Sequence, residues 1–298
     1  MLKGIYANSD AFATSLNQLQ NRIAVTNQQI TSGIDVNQPS DNPNAVEPIL
    51  AAQAEIARIT QVQTNLDRVK TVASTADSAL QTANAVINQL VAIGAQGATV
   101  TTTQDTRTSL AQEVEQLEQQ LVSLANTTVQ GNYIFGGDNP DTAPYSFDGT
   151  NPPAANVANP ANTGTVRDAE GNAIIPSLTA QQLFDSSAGS VLEATDAMRQ
   201  ALLNNQPADV GTALAALKTA GTQLNLGAES YGAIENWITN ASTYASQRIT
   251  SLQSQLSGLR DTDVVQAASQ LTLDETAYQA AIQARATLPT KNLFSYFG

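Results

Sequence analysis

Between residues 59 and 90 the apolar side chains follow an unbroken alternation of three- and four-residue steps: Ile59, Val62, Leu66, Val69, Ala73, Ala76, Leu80, Ala83, Ile87 and Leu90. On an α-helix that spacing puts all of them on one face, and four and a half heptads in phase specify a long helix packed against other helices. Local signals extend it in both directions. Asn42 is placed to cap, Pro43 suits the first helical position, and Gly94 and Gly97 read as the loop that ends it. A helix over residues 43–98 would be about 80 Å long, more than a single globular core covers.

The two ends repeat the pattern. Ile5, Phe12, Leu16, Leu19, Ile23 and Ile30 form a stripe broken by Ser9 and Thr26, and no neighbouring segment covers it. Val264, Ala268, Leu271, Tyr278 and Ile282 form its counterpart, with Glu275 as the exception, and Leu293, Phe294, Tyr296 and Phe297 follow in an aromatic tail. These ends are suited to pair with each other or with copies. Isolated, each is marginal as a helix and is expected to be largely disordered in the free chain.

Between them, residues 104–128 carry Leu110, Val114, Leu117, Leu121 and Leu124 on one stripe, and a short Thr-rich connection before them implies a helical hairpin. Residues 131–190 cluster Gly, Pro, Asn and Asp around short apolar runs, the texture of a small β-rich insert. Helical patterning returns near Val191 and includes a long segment over 226–259. The expected organisation is an N-terminal assembly helix (1–42), rod helices (43–130), the insert (131–190), returning rod helices (191–263), and a C-terminal assembly helix with its tail (264–298). The fold class is mainly α, an elongated nested coiled-coil rod of long antiparallel helices with a small β-rich insert at the distal end. Such a chain is built to associate side by side into a ring or tube.

Composition narrows the function. Of 298 residues 42% are apolar but only 5% aromatic, so the core is built of Ala, Leu, Val and Ile. A net charge of -13 disfavours nucleic acid and anionic membrane as partners. The chain has no His and no Cys, which removes Ser-His-Asp activation, thiol catalysis and the common zinc sites. No stretch approaches a membrane span, and residues 1–8 lack the apolar core of a secretory signal, so any export would leave the chain uncleaved. Asp138, Asp141 and Asp148 lack the spacing of a calcium loop. Glu115 and Glu118 read as a solvated helix face, and Asp261 and Asp263 as a helix cap. We therefore expect no catalytic residues, no cofactor and no metal.

Particular motifs resemble one family. Ser32-Gly33 followed by Asn37-Gln38-Pro39-Ser40-Asp41-Asn42-Pro43 is similar to the Ser-Gly … Asn-x-Pro-Ser-Asp-Asp-Pro signature of flagellar hook-associated proteins of the FlgL type, with Asn42 replacing the second Asp. Tyr133-Ile134-Phe135-Gly136-Gly137 and Thr142-Ala143-Pro144-Tyr145 resemble that family's passage from shaft to insert, and Asp261-x-Asp263 with the closing aromatic tail resembles its end. Flagellins share the nested plan. They usually carry Asp-Asp-Ala-Ala where this chain has Pro-Ser-Asp-Asn-Pro, Phe-Asn-Gly where it has Tyr-Ile-Phe-Gly-Gly, and a Leu-rich end. The resemblance implies a non-enzymatic structural protein joining hook-side components to the filament, with a short flagellin as the alternative. It also implies an extracellular, flagellar location and export unfolded through the flagellar type III channel. The implied partners are further copies of the chain, a neighbouring hook-associated protein, flagellin and a cytoplasmic export chaperone.

Overall fold

A computed structural model describes residues 2–147, 152–157, 161, 164–186 and 189–287, with side chains from residue 10 to residue 286 within those bounds. Most of the described residues lie in seven helices: α1 (Leu2–Ser32), α2 (Pro43–Gly97), α3 (Gln104–Ala125), α4 (Ala180–Phe184), α5 (Val191–Leu203), α6 (Pro207–Arg260) and α7 (Val264–Thr287). Among the described residues eight two-residue strands pair antiparallel: β1 (Thr128–Val129) with β2 (Asn132–Tyr133), β3 (Tyr145–Ser146) with β4 (Ala154–Ala155), β5 (Val166–Arg167) with β6 (Ala173–Ile174), and β7 (Asp185–Ser186) with β8 (Gly189–Ser190). Among the described residues no helix is long and apolar enough to cross a membrane. The fold is mainly α, with long helices and only small strand pairs. It divides into two compact units, residues 59–247 and residues 1–58 with 248–298.

In the unit of residues 59–247 the α2 stripe supplies the core. Ile59, Leu66, Ala73, Ala76, Leu80, Ala83 and Leu90 are fully buried, and Val62 alone of the stripe is only partly covered. α6 runs antiparallel to α2: Gly227 lies beside Leu80, Gly221 beside Ile87, and Gln63 Nε2 donates to Ser246 Oγ at 2.7 Å. Gly94 and Gly97 stand inside the last turns of α2 and not in a loop. A Cβ at Gly94 would come within 2.8 Å of the Met198 sulfur, and one at Gly97 would collide with Leu202, so both glycines serve close approach to α5.

Two other boundaries differ from the sequence pattern. α3 ends at Ala125 because Asn126 turns its side chain onto the Tyr145 backbone, donating to the carbonyl at 2.8 Å and accepting from the amide at 3.0 Å. α6 starts at Pro207, well before residue 226, since Val210, Ala213, Leu217, Ala220 and Leu224 carry its buried stripe through a glycine-containing stretch. Thr103 and Ser190 cap α3 and α5, and Thr179 with Gln182 closes a capping box on α4. Around them Phe135, Phe184, Tyr231 and Tyr145 meet edge to face with centroids 6.3–6.5 Å apart.

Buried charge was not expected in this unit. Arg107 is 4% exposed; it donates to the Gly97 carbonyl at 2.9 Å, the Thr99 carbonyl at 2.8 Å and Asn205 Oδ1 at 2.5 Å. It thereby satisfies orphan carbonyls at the end of α2 and ties that turn to the turn between α5 and α6. Glu118 corrects the reading of a solvated face. It sits fully buried between α3 and α5, 3.6 Å from Arg199 Nε, while Arg199 also grips Asp196 at 2.5 Å. Neither Glu118 oxygen has a hydrogen-bond partner.

Burial first, and then the charge of Asp196, push the Glu118 carboxyl up to about 8 against the pull of Arg199. A carboxyl that binds its proton more tightly in the folded chain contributes stability at low pH. That contribution is lost as pH rises from the ordinary carboxylate range through the raised value. Glu118 alone is expected to lower stability by up to about 1.4 kcal/mol per pH unit across that window. Denaturant melts of the parent and of Glu118→Gln should diverge in this way, the variant gaining relative stability towards pH 8. Parallel pH profiles would contradict the burial of an ionisable Glu118.

Candidate assembly interface

The unit of residues 1–58 and 248–298 is built on an antiparallel pair of terminal helices. At one end the connectors meet: Ile34 bridges Asp261, the Asp35 amide donates to the Arg260 carbonyl at 2.7 Å, and the Thr262 amide donates to the Gly33 carbonyl at 3.0 Å. Gly33 adopts a φ of +69°, the left-handed position that ends α1. Asp263 Oδ1 then accepts from the amides of Val265 and Gln266, starting α7. Further along, Arg22 Nη2 lies 3.2 Å from Asp274 Oδ1 and Gln20 Nε2 donates to Tyr278 at 2.7 Å. Towards the other end, the Arg285 guanidinium stands 5.7 Å from the centre of the Phe12 ring. The pairs advance in step and fix a single register.

On α1 the seam consists of half-buried Phe12, Leu16, Leu19, Ile23 and Ile30 with buried Thr26. Ile5 lies on the first turns, where only the backbone is described. On α7 the covered positions are Ala267, Leu271, Asp274, Tyr278 and Ala281. The helix is thus rotated from the phase that pairs Ala268 with Glu275: the carboxylate in the seam is Asp274, held by Arg22, and Glu275 faces solvent. Leu271 and Tyr278 lie in the seam, whereas Val264 and Ile282 remain 47% and 45% exposed at its edge. Leu293, Phe294, Tyr296 and Phe297 lie outside the described residues.

A second stripe on α7 escaped the sequence reading. Leu273, Ala277, Ala280 and Ala284 are exposed at four-three-four spacing, Leu273 to 63%. Each of the first three precedes a seam position by one residue, so the stripe stands about 100° round the helix from the seam. With Ile282 and Val264 on the other flank, the apolar arc of α7 is wider than one partner helix covers. The sequence signal was present as alanine, whose small side chain reads equally as helix filler.

The Pro39-Ser40-Asp41 motif forms the turn that leads into α2. The Asp41 amide donates to the Gln38 carbonyl at 3.0 Å, Pro39 occupies the second turn position, and Pro43 opens the helix. The Asp41 carboxylate returns to accept the Asn37 and Gln38 amides at 2.9 and 2.8 Å. Ser40 is exposed. Beneath the turn, Ala45, Ile49, Ala52 and Leu256 form a small core of their own, with Val36 and Ile56 against it.

The second motif lies in the other unit. Tyr133 ends β2, Ile134 and Phe135 are buried, and the Phe135 carbonyl accepts the Ala180 amide at 2.8 Å. A Cβ on Gly136 would lie 2.7 Å from the Asn139 carbonyl oxygen, and Gly137 holds a φ of +63°. Thr142 is exposed, Ala143 half-buried and Pro144 buried beside Tyr145. Burial pushes the Tyr145 hydroxyl up beyond the usual range, helped by its hydrogen bond to Asp185 at 2.5 Å. Among the described residues no three acidic side chains converge as a metal site, and Asp148 lies outside them.

Asp41→Ala removes the one carboxylate oxygen that accepts both the Asn37 and Gln38 amides and is expected to cost about 1 kcal/mol, as for a lost capping side chain. Hydrogen exchange at those two amides should speed up while the amides of residues 59–90 keep their protection. Unchanged exchange at residues 37 and 38 would show that the turn does not depend on this carboxylate.

Comparisons with known proteins address this arrangement. The family profile of the bacterial flagellin N-terminal helical region matches residues 5–140, and that of the flagellin C-terminal helical region matches residues 214–297. A similar relative is flagellar hook-associated protein 3 of Escherichia coli (strain K12), 27% identical over 321 aligned residues that span 95% of this chain and 98% of the relative. Among solved structures, FlgL of Xanthomonas campestris superposes with a TM-score of 0.62 at 16% identity, covering 69% of this chain and 99% of that one. FlgL of Bacillus cereus superposes with a TM-score of 0.57 at 21% identity, covering 68% and 97%. These structures establish the shared fold. With both terminal helical regions matched, the chain belongs to the bacterial flagellin family, resembles its hook-associated members along nearly its whole length, and is a structural component of the flagellum and not an enzyme.

Proposed function

We propose that the chain self-associates between hook-side proteins and the flagellin filament, its terminal helices becoming fully ordered only in the assembly. The carrying observation is α7, apolar on its α1 seam and again along Leu273, Ala277, Ala280 and Ala284, so that a single chain leaves part of the arc uncovered. Neighbouring copies would cover that arc in a ring or tube. The α1 and α7 pair, half-covered in the free chain, opens readily and consolidates on assembly. The stripes of Phe12, Leu16, Leu19, Ile23, Ile30, Leu271, Tyr278 and Ile282, together with the tail, constitute the interface.

The junction role is supported by the hook-associated name of the Escherichia coli relative and by the motifs over residues 37–43 and 133–144. On this reading the partners are copies of the chain, a neighbouring hook-associated protein and flagellin. Delivery is through the flagellar export channel without cleavage, with a cytoplasmic chaperone holding the C-terminal segment.

Deletion of residues 289–298 should leave the melting of the 59–247 unit unchanged while abolishing incorporation. Cells carrying it should release flagellin into the medium. Electron microscopy of purified chain added to filament fragments gives the direct discrimination. A layer that stops growing supports the junction role, continuous filament growth shows a short flagellin, and normal swimming by the truncated strain contradicts the role of the tail.

A further inference from the structure

At the closed end of the terminal helix pair lies a groove of about 320 Å³, floored by Ile34, Val36, Val46, Ile49 and Leu50 and edged by Arg260. Leu50 is 59% exposed although its neighbour Ile49 is buried. The groove is preorganised. Its outer wall is the turn that Asp41 holds through the Asn37 and Gln38 amides, and its inner wall is pinned by the amides of Asp35 and Thr262. A rigid apolar groove binds without first ordering itself.

The chain carries a matching segment. Leu293, Phe294, Tyr296 and Phe297 are large side chains within five residues, suited to apolar anchoring, and their rings complement a guanidinium at the rim. Docked together as one segment, they cannot occupy the groove of their own chain. α7 starts beside it, where Thr262 bonds Gly33, and runs away towards Phe12 over about 36 Å. From Thr287, the six residues to Leu293 span about 20 Å at full extension. The groove and the end of α7, from which the segment continues, therefore stand at opposite ends of the α1 and α7 pair.

We propose that the groove beside Leu50 is the docking site for residues 293–297 of a second copy. The contact is heterologous: one copy's tail fills the next copy's groove and leaves its own groove for a third, which propagates into a ring or tube. This inference rests on the self-association reading and names one of its contacts. It also gives the Pro39-Ser40-Asp41 turn a role beyond starting α2, since the turn builds the wall of the groove.

The chain has no cysteine, so introduced thiols report the contact without background. Full-length Leu50→Cys and Phe294→Cys chains are mixed, concentrated until light scattering shows association, and treated with a short bismaleimide. Ser15→Cys serves as the control for Leu50→Cys. Mass spectrometry should find the 50–294 link between chains at least tenfold over the 15–294 link. A synthetic peptide of residues 288–298 should suppress it by a similar factor. Association without a 50–294 link, a link the peptide does not compete, or one formed only within a single chain carrying both substitutions overturns the docking and leaves self-association standing. A parent chain that stays monomeric at every concentration overturns both, and light scattering reads that outcome separately.

Discussion

The structure depends on a helix that is apolar over more of its circumference than one neighbour covers. α7 meets α1 through Leu271, Tyr278 and Ala281, and Asp274 in the same seam is held by Arg22. A quarter-turn or so away, Leu273 and three alanines face solvent. Within one chain that leaves apolar surface in water, and this is what motivates the proposal that another copy covers it. The remaining features of the unit serve this helix. The connector bridge at Ile34 and Asp261 sets its starting point, Asp263 caps it, and the register pairs hold its seam residues against α1.

The other unit solves a different problem, the burial of a continuous stripe along residues 59–90. Its solution is conventional apolar packing of α2 against α5 and α6, tightened by glycines at points of closest approach. Inside it sit Arg107, which satisfies the end of α2, and Glu118, which faces Arg199 but makes no hydrogen bond. The contrast matters energetically. A buried cation with each of its three nitrogens hydrogen-bonded stabilises two turns at once, whereas a buried carboxyl beside an already engaged ion pair makes α3 and α5 sensitive to pH.

Periodicity made the long helices legible, because a stripe such as Leu66, Val69, Ala73, Ala76 and Leu80 has no reading but one helix face. Turn chemistry made residues 38–43 legible through Pro39, Asp41 and Pro43. The signal failed where the same residue types serve two ends. Gly94 and Gly97 look like a helix stop yet lie in the helix, since close packing against Met198 and Leu202 selects glycine as strongly as a turn does. Glu118 looks like a surface residue because a lone sequence position does not reveal which flank of α3 a second helix will cover. The α1 seam on α7 was legible only in half: Leu271 and Tyr278 announced it, while the phase around Asp274 required the partner helix to be seen.

Hydrogen exchange along α7, compared between free chain and assembled particles, tests this account most directly. In the free chain the amides of residues 264–287 should exchange far faster than those of residues 59–90, since a half-covered pair opens at small cost. On assembly they should gain protection on the scale of the core, with Leu273 to Ala284 included. Core-like protection of α7 in a demonstrably monomeric sample, or no gain on assembly, would contradict the claim that this helix is completed by another copy.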